Sequence, residues 1–152
     1  MKSIALRYSE NFAPKDGTIM EHKKLIEKRG YVFWGKLGSR VSEKNRELVL
    51  AEKNPRILLI HSGGTQRYWA QIEDIVFDTP GFSDFPEYYH ALADKFKTWF
   101  KIVKIQDAPK NILSQCYVVS SGVLLGSVSK HSMSPYYVID YRSDQIDCIS
   151  DN

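Results

Sequence analysis

Residues 57–75 read Ile-Leu-Leu-Ile-His-Ser-Gly-Gly-Thr-Gln-Arg-Tyr-Trp-Ala-Gln-Ile-Glu-Asp-Ile. This stretch constrains the fold more than any other. The apolar run Ile57 to Ile60 meets a polar glycine turn, His61 to Thr65, and a second strand-like run then carries Tyr68, Trp69, Ile72 and Ile75. Two such runs around a glycine turn predict a β-hairpin, here extending from Arg56 to about Phe77. Its tip brings His61 and Ser62 together with two bulky aromatic residues, and the hairpin is expected to build one wall of a ligand pocket.

The remaining elements follow in chain order. Alternation from Ile4 to Tyr8 predicts a first strand, and residues 9–17 a loop. Thr18 with Glu21 three residues later has the form of a capping box. The helix it opens is expected to reach Arg29 and stop at Gly30. Tyr31 to Leu37 is dense in aromatic and branched residues and reads as a strand. Ser42 is placed to cap a second, more polar helix running to about Lys53, before Asn54-Pro55 breaks it. Phe85, Tyr88, Tyr89, Leu92 and Phe96 recur at helical spacing, which predicts an amphipathic helix over 85–97. Thr98 to Ile105 is another strand, residues 110–116 a short turn or helix, 123–129 a short strand or helix end, and Tyr136 to Ile139 the last strand. The expected domain spans 1–142, with a polar tail over 143–152. Strands outnumber helices, and hairpins mix with crossover helices. The expected class is therefore α+β, with a small curved, barrel-like mixed sheet flanked by helices.

A chain of 152 residues with 43% hydrophobic and 26% charged side chains is sized and composed for one globular domain. No stretch approaches the roughly 20 apolar residues that span a bilayer. The charged residues near the N-terminus do not form a signal peptide. Cys116 and Cys148 form no Cys-x-x-Cys pair, so reduced thiols in a cytoplasmic protein are expected. The net charge of +3 is uneven: residues 1–76 hold 14 Lys and Arg against 9 Asp and Glu, and residues 77–152 hold 7 against 9. The basic half permits contact with an anionic polymer, although a mildly basic solvated surface is the commoner explanation.

Several chemistries are disfavoured. His22, His61, His90 and His131 lack metal-ligand spacing, so no metal is expected. There is no nucleophile elbow and no phosphate loop, because Gly63-Gly64 lacks the following Gly-Lys-Ser/Thr. Glu73 and Asp74 are adjacent on a strand and point to opposite faces, a poor acid/base pair. No cofactor is expected. Aromatic richness remains, with 3 Trp, 9 Tyr and 7 Phe. Core packing accounts for many of these rings, and for the 85–96 set in particular. Trp34 and Trp69 differ in sitting beside small or polar residues near expected strand ends. Gly35 leaves room beside Trp34 for a flat group to approach the backbone, and Trp99 opens the later strand. An aromatic wall with a few polar groups suits a flat heterocycle such as a nucleobase. Ser127 to Ser132 gathers hydroxyls, an ammonium and an imidazole. Alternation would put Ser127, Ser129 and His131 on one face, for phosphate and sugar contact or as an exposed polar loop.

Four stretches together resemble the PUA-like superfamily, closest to EVE and YTH-type domains. They are Ile57 to Ser62, Tyr68 to Ile72, Thr98 to Ile102 and Leu124 to Ser129. The usual EVE opening with Trp and Lys-Ser-Glu-Pro is absent, and Ile4 to Tyr8 stands in its place. The resemblance implies a small β-barrel flanked by helices, with a pocket for a modified, often methylated, base from DNA or RNA. It also implies binding without catalysis, as in the reader modules of modification-dependent restriction systems, where a nuclease or defence-system partner acts. Carried onto this chain, the pocket candidates are Trp34, His61, Ser62, Tyr68 and Trp69, joined by Gly35 and Trp99. Candidates for nucleic-acid backbone contact, on charge and placement, are Lys36, Arg40, Arg67, Ser129, Lys130 and His131.

The expected function is a non-enzymatic module that holds a flipped base, most simply a methylated one, in an aromatic pocket. One alternative is an ASCH-like enzyme on modified nucleosides, with Lys36, Lys130, Glu73 and Ser62 as its polar site. The other is a protein-interaction domain whose exposed aromatics meet a partner.

Overall fold

The computed structural model describes residues 1–131 and 136–142, with the backbone alone for Lys130 and His131. The side chains of those two residues, Cys148 and the tail from Ser143 lie outside the described residues. Within them the strands are β1 (Lys2–Tyr8), β2 (Val32–Lys36), β3 (Arg56–His61), β4 (Arg67–Val76), β5 (Thr98–Asp107), β6 (Cys116–Val118) and β7 (Tyr136–Tyr141). The α-helices are α1 (Thr18–Arg29), α2 (Glu43–Leu50) and α3 (Leu125–His131).

The strands form one mixed sheet in the order β2-β5-β4-β3-β1-β7-β6. β1 runs parallel to β3, and the other pairs are antiparallel. β2 and β6 are its edges, yet the sheet curls until distant strands meet. Lys36 on β2 places Nζ 4.6 Å from the ring centre of Tyr136 on β7, with four strands between them in the sheet. Tyr8 of β1 meets Trp34 of β2 edge to face at 5.5 Å. The barrel-like shape is thus held by side chains where hydrogen bonding leaves the sheet open. The architecture is α+β, as expected.

Period-two alternation divides the apolar residues between two faces. Ile4, Leu6, Ile57, Leu59, Ala70, Ile72, Phe100 and Trp34 share one core, covered by Leu25 and Ile26 of α1 and Val49 of α2. Ala5, Leu58, Ile60, Trp69 and Ile139 pack on the other face against Ile112, Cys116 and Leu125. A third cluster joins Phe85, Tyr89, Ala93, Phe96 and Trp99.

The hairpin forms as expected, with Leu58 opposite Trp69 and Ile57 opposite Ala70. Gly30 ends α1 in the left-handed region at φ 88°. Ser42 caps α2, its side chain accepting from the Asn45 amide at 3.1 Å.

Other expectations are corrected. Thr18 is not the cap of α1. Gly17 takes that place at φ 89° with no side-chain cap of its own, while the Glu10 carboxylate accepts the Thr18 amide at 3.0 Å. Thr18 is buried at the first helical position, its hydroxyl donating to the Ser9 carbonyl at 3.3 Å. The segment expected as an amphipathic helix over 85–97 is a 3₁₀ helix, Glu87–Lys95. Its i→i+3 bonds include Tyr89 N–H to the Pro86 carbonyl. The looser rise of about 2.0 Å per residue carries the chain from Phe85 to Phe96 while both rings stay packed on Trp99. Residues 127, 129 and 131 belong to α3 rather than to a strand, so the alternation that would bring all three to one face does not apply.

Candidate functional site

Where the ends of β1 and β2 meet the 87–95 segment, side chains leave a cavity of about 180 Å³. Trp34 forms its floor at the seam between the first and third cores. Tyr8, Tyr88, Tyr89 and Phe96 supply the other aromatic walls, and Phe12, 63% exposed, stands at the mouth. Pockets of roughly 300–1,000 Å³ take drug-sized ligands, so this space suits one small flat group and is too small for a dinucleotide.

Behind Trp34 lies His22, fully buried, with ring centres 4.4 Å apart and the planes tilted 33°. Its Nδ1 is 2.8 Å from the Thr18 carbonyl, to which it donates. Its Nε2 is buried without a partner, and burial pulls the imidazole pKa down to about 4. The back of the aromatic wall is therefore neutral.

The polar groups at the cavity are few. Lys36 is buried, and its ammonium donates to the carbonyls of Leu37 at 3.0 Å and Ser39 at 2.5 Å. Burial lowers its pKa. Burial also raises the phenol pKa of Tyr8, Tyr88 and Tyr89, so all three keep their hydroxyl protons at neutral pH and can donate as well as accept. An aromatic slot ringed by phenols can stack a planar ring and bond its edge.

The sequence candidates distribute unevenly over this geometry. Trp34, Gly35 and Lys36 line the cavity. His61 and Tyr68 line a neighbouring recess, with Tyr8 and Thr18 shared between the two. His61 lies 5.2 Å from the Tyr8 ring, its Nδ1 3.1 Å from Gln66 Oε1. Ser62 is exposed on the turn, and its amide donates to the Tyr8 carbonyl at 2.8 Å.

Trp69 and Trp99 do not share the cavity. Trp69 is 4% exposed on the opposite face, because it alternates with Tyr68 along β4. The expectation that the hairpin's Tyr68 and Trp69 form one wall is corrected accordingly. Trp99 is enclosed between Phe85 and Phe96. The room beside Gly35 is filled from within the chain on one side: a Cβ there would stand 2.6 Å from the Phe96 ring.

Among the backbone-contact candidates, Arg40 is exposed and lies 4.2 Å over the Phe77 ring. Arg67 donates to the Thr65 carbonyl. Ser129, half-buried in α3, offers its carbonyl to Arg7. The side chains of Lys130 and His131 are outside the described residues.

Sequence reasoning missed Tyr8, Tyr88, Tyr89 and Phe96 as site residues, and also His22. The only signal for Tyr8 was its place at the end of the first strand. Core packing accounts for only part of the 85–96 set, since Tyr89 and Phe96 both pack Trp99 and wall the cavity, while Tyr88 lines the cavity.

Among the described residues no three His, Cys, Asp or Glu gather as a metal ion would require. No described helix is long and apolar enough to cross a membrane.

No curated protein and no solved structure matches the chain. The family model described as Pua-like matches residues 4–138, at the level of the superfamily and without selecting an EVE or YTH branch. With most of the chain matched on a curled mixed sheet, the protein belongs to the PUA-like family, whose domains generally bind RNA or other nucleic acids.

Proposed function

We propose that this domain binds nucleic acid without catalysis and holds one flipped base, methylated or otherwise modified, in the Trp34 cavity. The observation that carries this reading is the small cavity walled by Trp34, Tyr8, Tyr88, Tyr89 and Phe96. Extruding a base costs a few kcal/mol of unstacking, which a slot that stacks and hydrogen-bonds the base can offset. Protonated phenols read the base edge, and a methyl group packs against the rings, where it displaces water from an apolar wall. Arg40, exposed in the loop after β2, and the half-exposed Arg67 supply contacts to the phosphate backbone. A nuclease or defence-system partner would supply any subsequent chemistry.

The test is titration of the full chain with single-stranded oligonucleotides that carry or lack a methylated base. Stacking contributes about 1–3 kcal/mol per base, so Trp34→Ala is expected to weaken binding by about 5- to 150-fold. Trp69→Phe, on the opposite face, is expected to leave the affinity for oligonucleotides with a 5′-hydroxyl end unchanged. Equal affinity of Trp34→Ala and the parent protein would remove the cavity as the binding site. Recovery of the modified nucleoside intact after incubation separates a reader from an enzyme.

A further inference from the structure

On the sheet face opposite the aromatic cavity, strand register assembles a rank of hydrogen-bond donors. Arg56 on β3 stands opposite Gln71 on β4, and Gln71 opposite Lys104 on β5. One step along the same face, Trp69 stands opposite Gln106. Neighbouring strands lie about 4.8 Å apart, so guanidinium, amide and ammonium flank one another within reach of one small ligand. With Lys53 and Asn54 from the turn before β3, they surround a recess of about 450 Å³.

Two features of this recess leave donors unmatched within the fold. The Arg56 guanidinium lies 4.5 Å over the Trp69 ring and 5.4 Å over Tyr141, while its Nε is buried without a hydrogen-bond partner. Among the described residues, none of Lys53, Arg56 and Lys104 enters an ion pair. The recess has one carboxylate, Glu52, and that group accepts the Lys2 amide at 2.9 Å. Three cations and three carboxamides around one acid favour a compact anion with several acceptor oxygens.

We propose that this recess is a second ligand site, for a phosphate group: inorganic phosphate, a phosphomonoester or the terminal phosphate of a nucleic-acid strand. Arg56, held over the Trp69 ring, offers paired donors. Gln71 bonds the centre of the anion, and Lys53 and Lys104 add charge from either side. The site stands apart from the base cavity and does not depend on it.

The test is titration of the full chain with sodium phosphate, following the indole N–H resonances by NMR, with Trp69 assigned through Trp69→Phe. Sodium chloride at matched ionic strength is the control. Phosphate is expected to move the Trp69 resonance saturably and to leave that of Trp34 in place. Lys53→Glu and Lys104→Glu, both at exposed positions, are each expected to weaken phosphate tenfold or more, and Trp34→Ala to have no effect on it. Competition by a 5′-phosphorylated oligonucleotide, but not its 5′-hydroxyl form, identifies a strand end as the source. Competition by a free mononucleotide alone identifies a small metabolite. The proposal is overturned if chloride reproduces the shift, if no shift saturates, or if both charge reversals bind phosphate as the parent does.

Discussion

His22 sets burial against ionisation. The ring is fully enclosed between Trp34 and Tyr89, where a charged imidazolium would lose its hydration without gaining an anion. The folded chain therefore keeps it neutral down to a pH of about 4, while the unfolded chain takes up its proton at the ordinary value of 6.5. Between those values the unfolded state binds more protons, so stability falls with falling pH. His22 contributes its full share above about pH 6.5 and has lost it below about pH 4, a loss of about 3 kcal/mol at about 1.4 kcal/mol per pKa unit. Urea unfolding between pH 7.5 and 4 is expected to show this decline, and His22→Phe, which keeps a ring beside Trp34, to flatten it. Parallel curves would place the acid sensitivity elsewhere. Gly35 poses a steric question at the same site. Because an added Cβ would stand 2.6 Å from two carbons of the buried Phe96 ring, Gly35→Ala forces that ring off its seat. The expected cost is about 1–3 kcal/mol in urea unfolding, accompanied by weaker base binding, since Phe96 is also a cavity wall.

α1 depends on a residue eight positions upstream of its start. The Glu10 carboxylate satisfies the Thr18 amide and places negative charge at the positive end of the helix. Glu10→Ala is expected to cost about 1 kcal/mol, the usual effect of losing a helix cap, with faster amide hydrogen exchange confined to the first turn of α1. Unchanged exchange there would show that water replaces the carboxylate. That cap was not legible in the sequence, where Thr18 and Glu21 carry the local pattern of a capping box, because loop folding brings Glu10 to the helix. Elements fixed by neighbours in sequence were legible: the hairpin around Gly63-Gly64, the stop at Gly30 and the Ser42 cap. The 87–95 segment was not, since its 3₁₀ form answers to tertiary contacts of Phe85, Tyr89 and Phe96 with Trp99. In the hairpin, alternation implies that Tyr68 and Trp69 oppose each other, but the direction in which the sheet curls decides which of them approaches the cavity. Trp34, Gly35 and Lys36 were found because a ring, a gap and a cation adjoin in sequence. Tyr8, Tyr88 and Tyr89 join them only through that curl.

The molecule as a whole is an open sheet held in a barrel-like curl, and Lys36 is one of the fastenings. It was expected from sequence to meet phosphate, yet its ammonium is turned toward its own chain, to the carbonyls of Leu37 and Ser39 and the ring of Tyr136. These contacts tie the edge strand β2 to the loop after it and, across the hollow of the curl, to β7. Lys36→Met keeps the aliphatic stem and removes the donors and the charge. Each lost hydrogen bond that leaves a carbonyl unsatisfied costs about 1–3 kcal/mol, so β2 is expected to exchange its amides faster and the Trp34 cavity to loosen. Affinity for an oligonucleotide would then fall whether Lys36 acts on the fold or on the ligand. Salt separates the two roles, because each cation paired to a phosphate adds roughly one to the slope of log affinity against log salt. A fastening role predicts weaker binding with the slope unchanged, together with the faster exchange in β2. A slope reduced by about one, with β2 exchange as in the parent, would instead return Lys36 to the phosphate backbone and leave the curl to the contact between Tyr8 and Trp34.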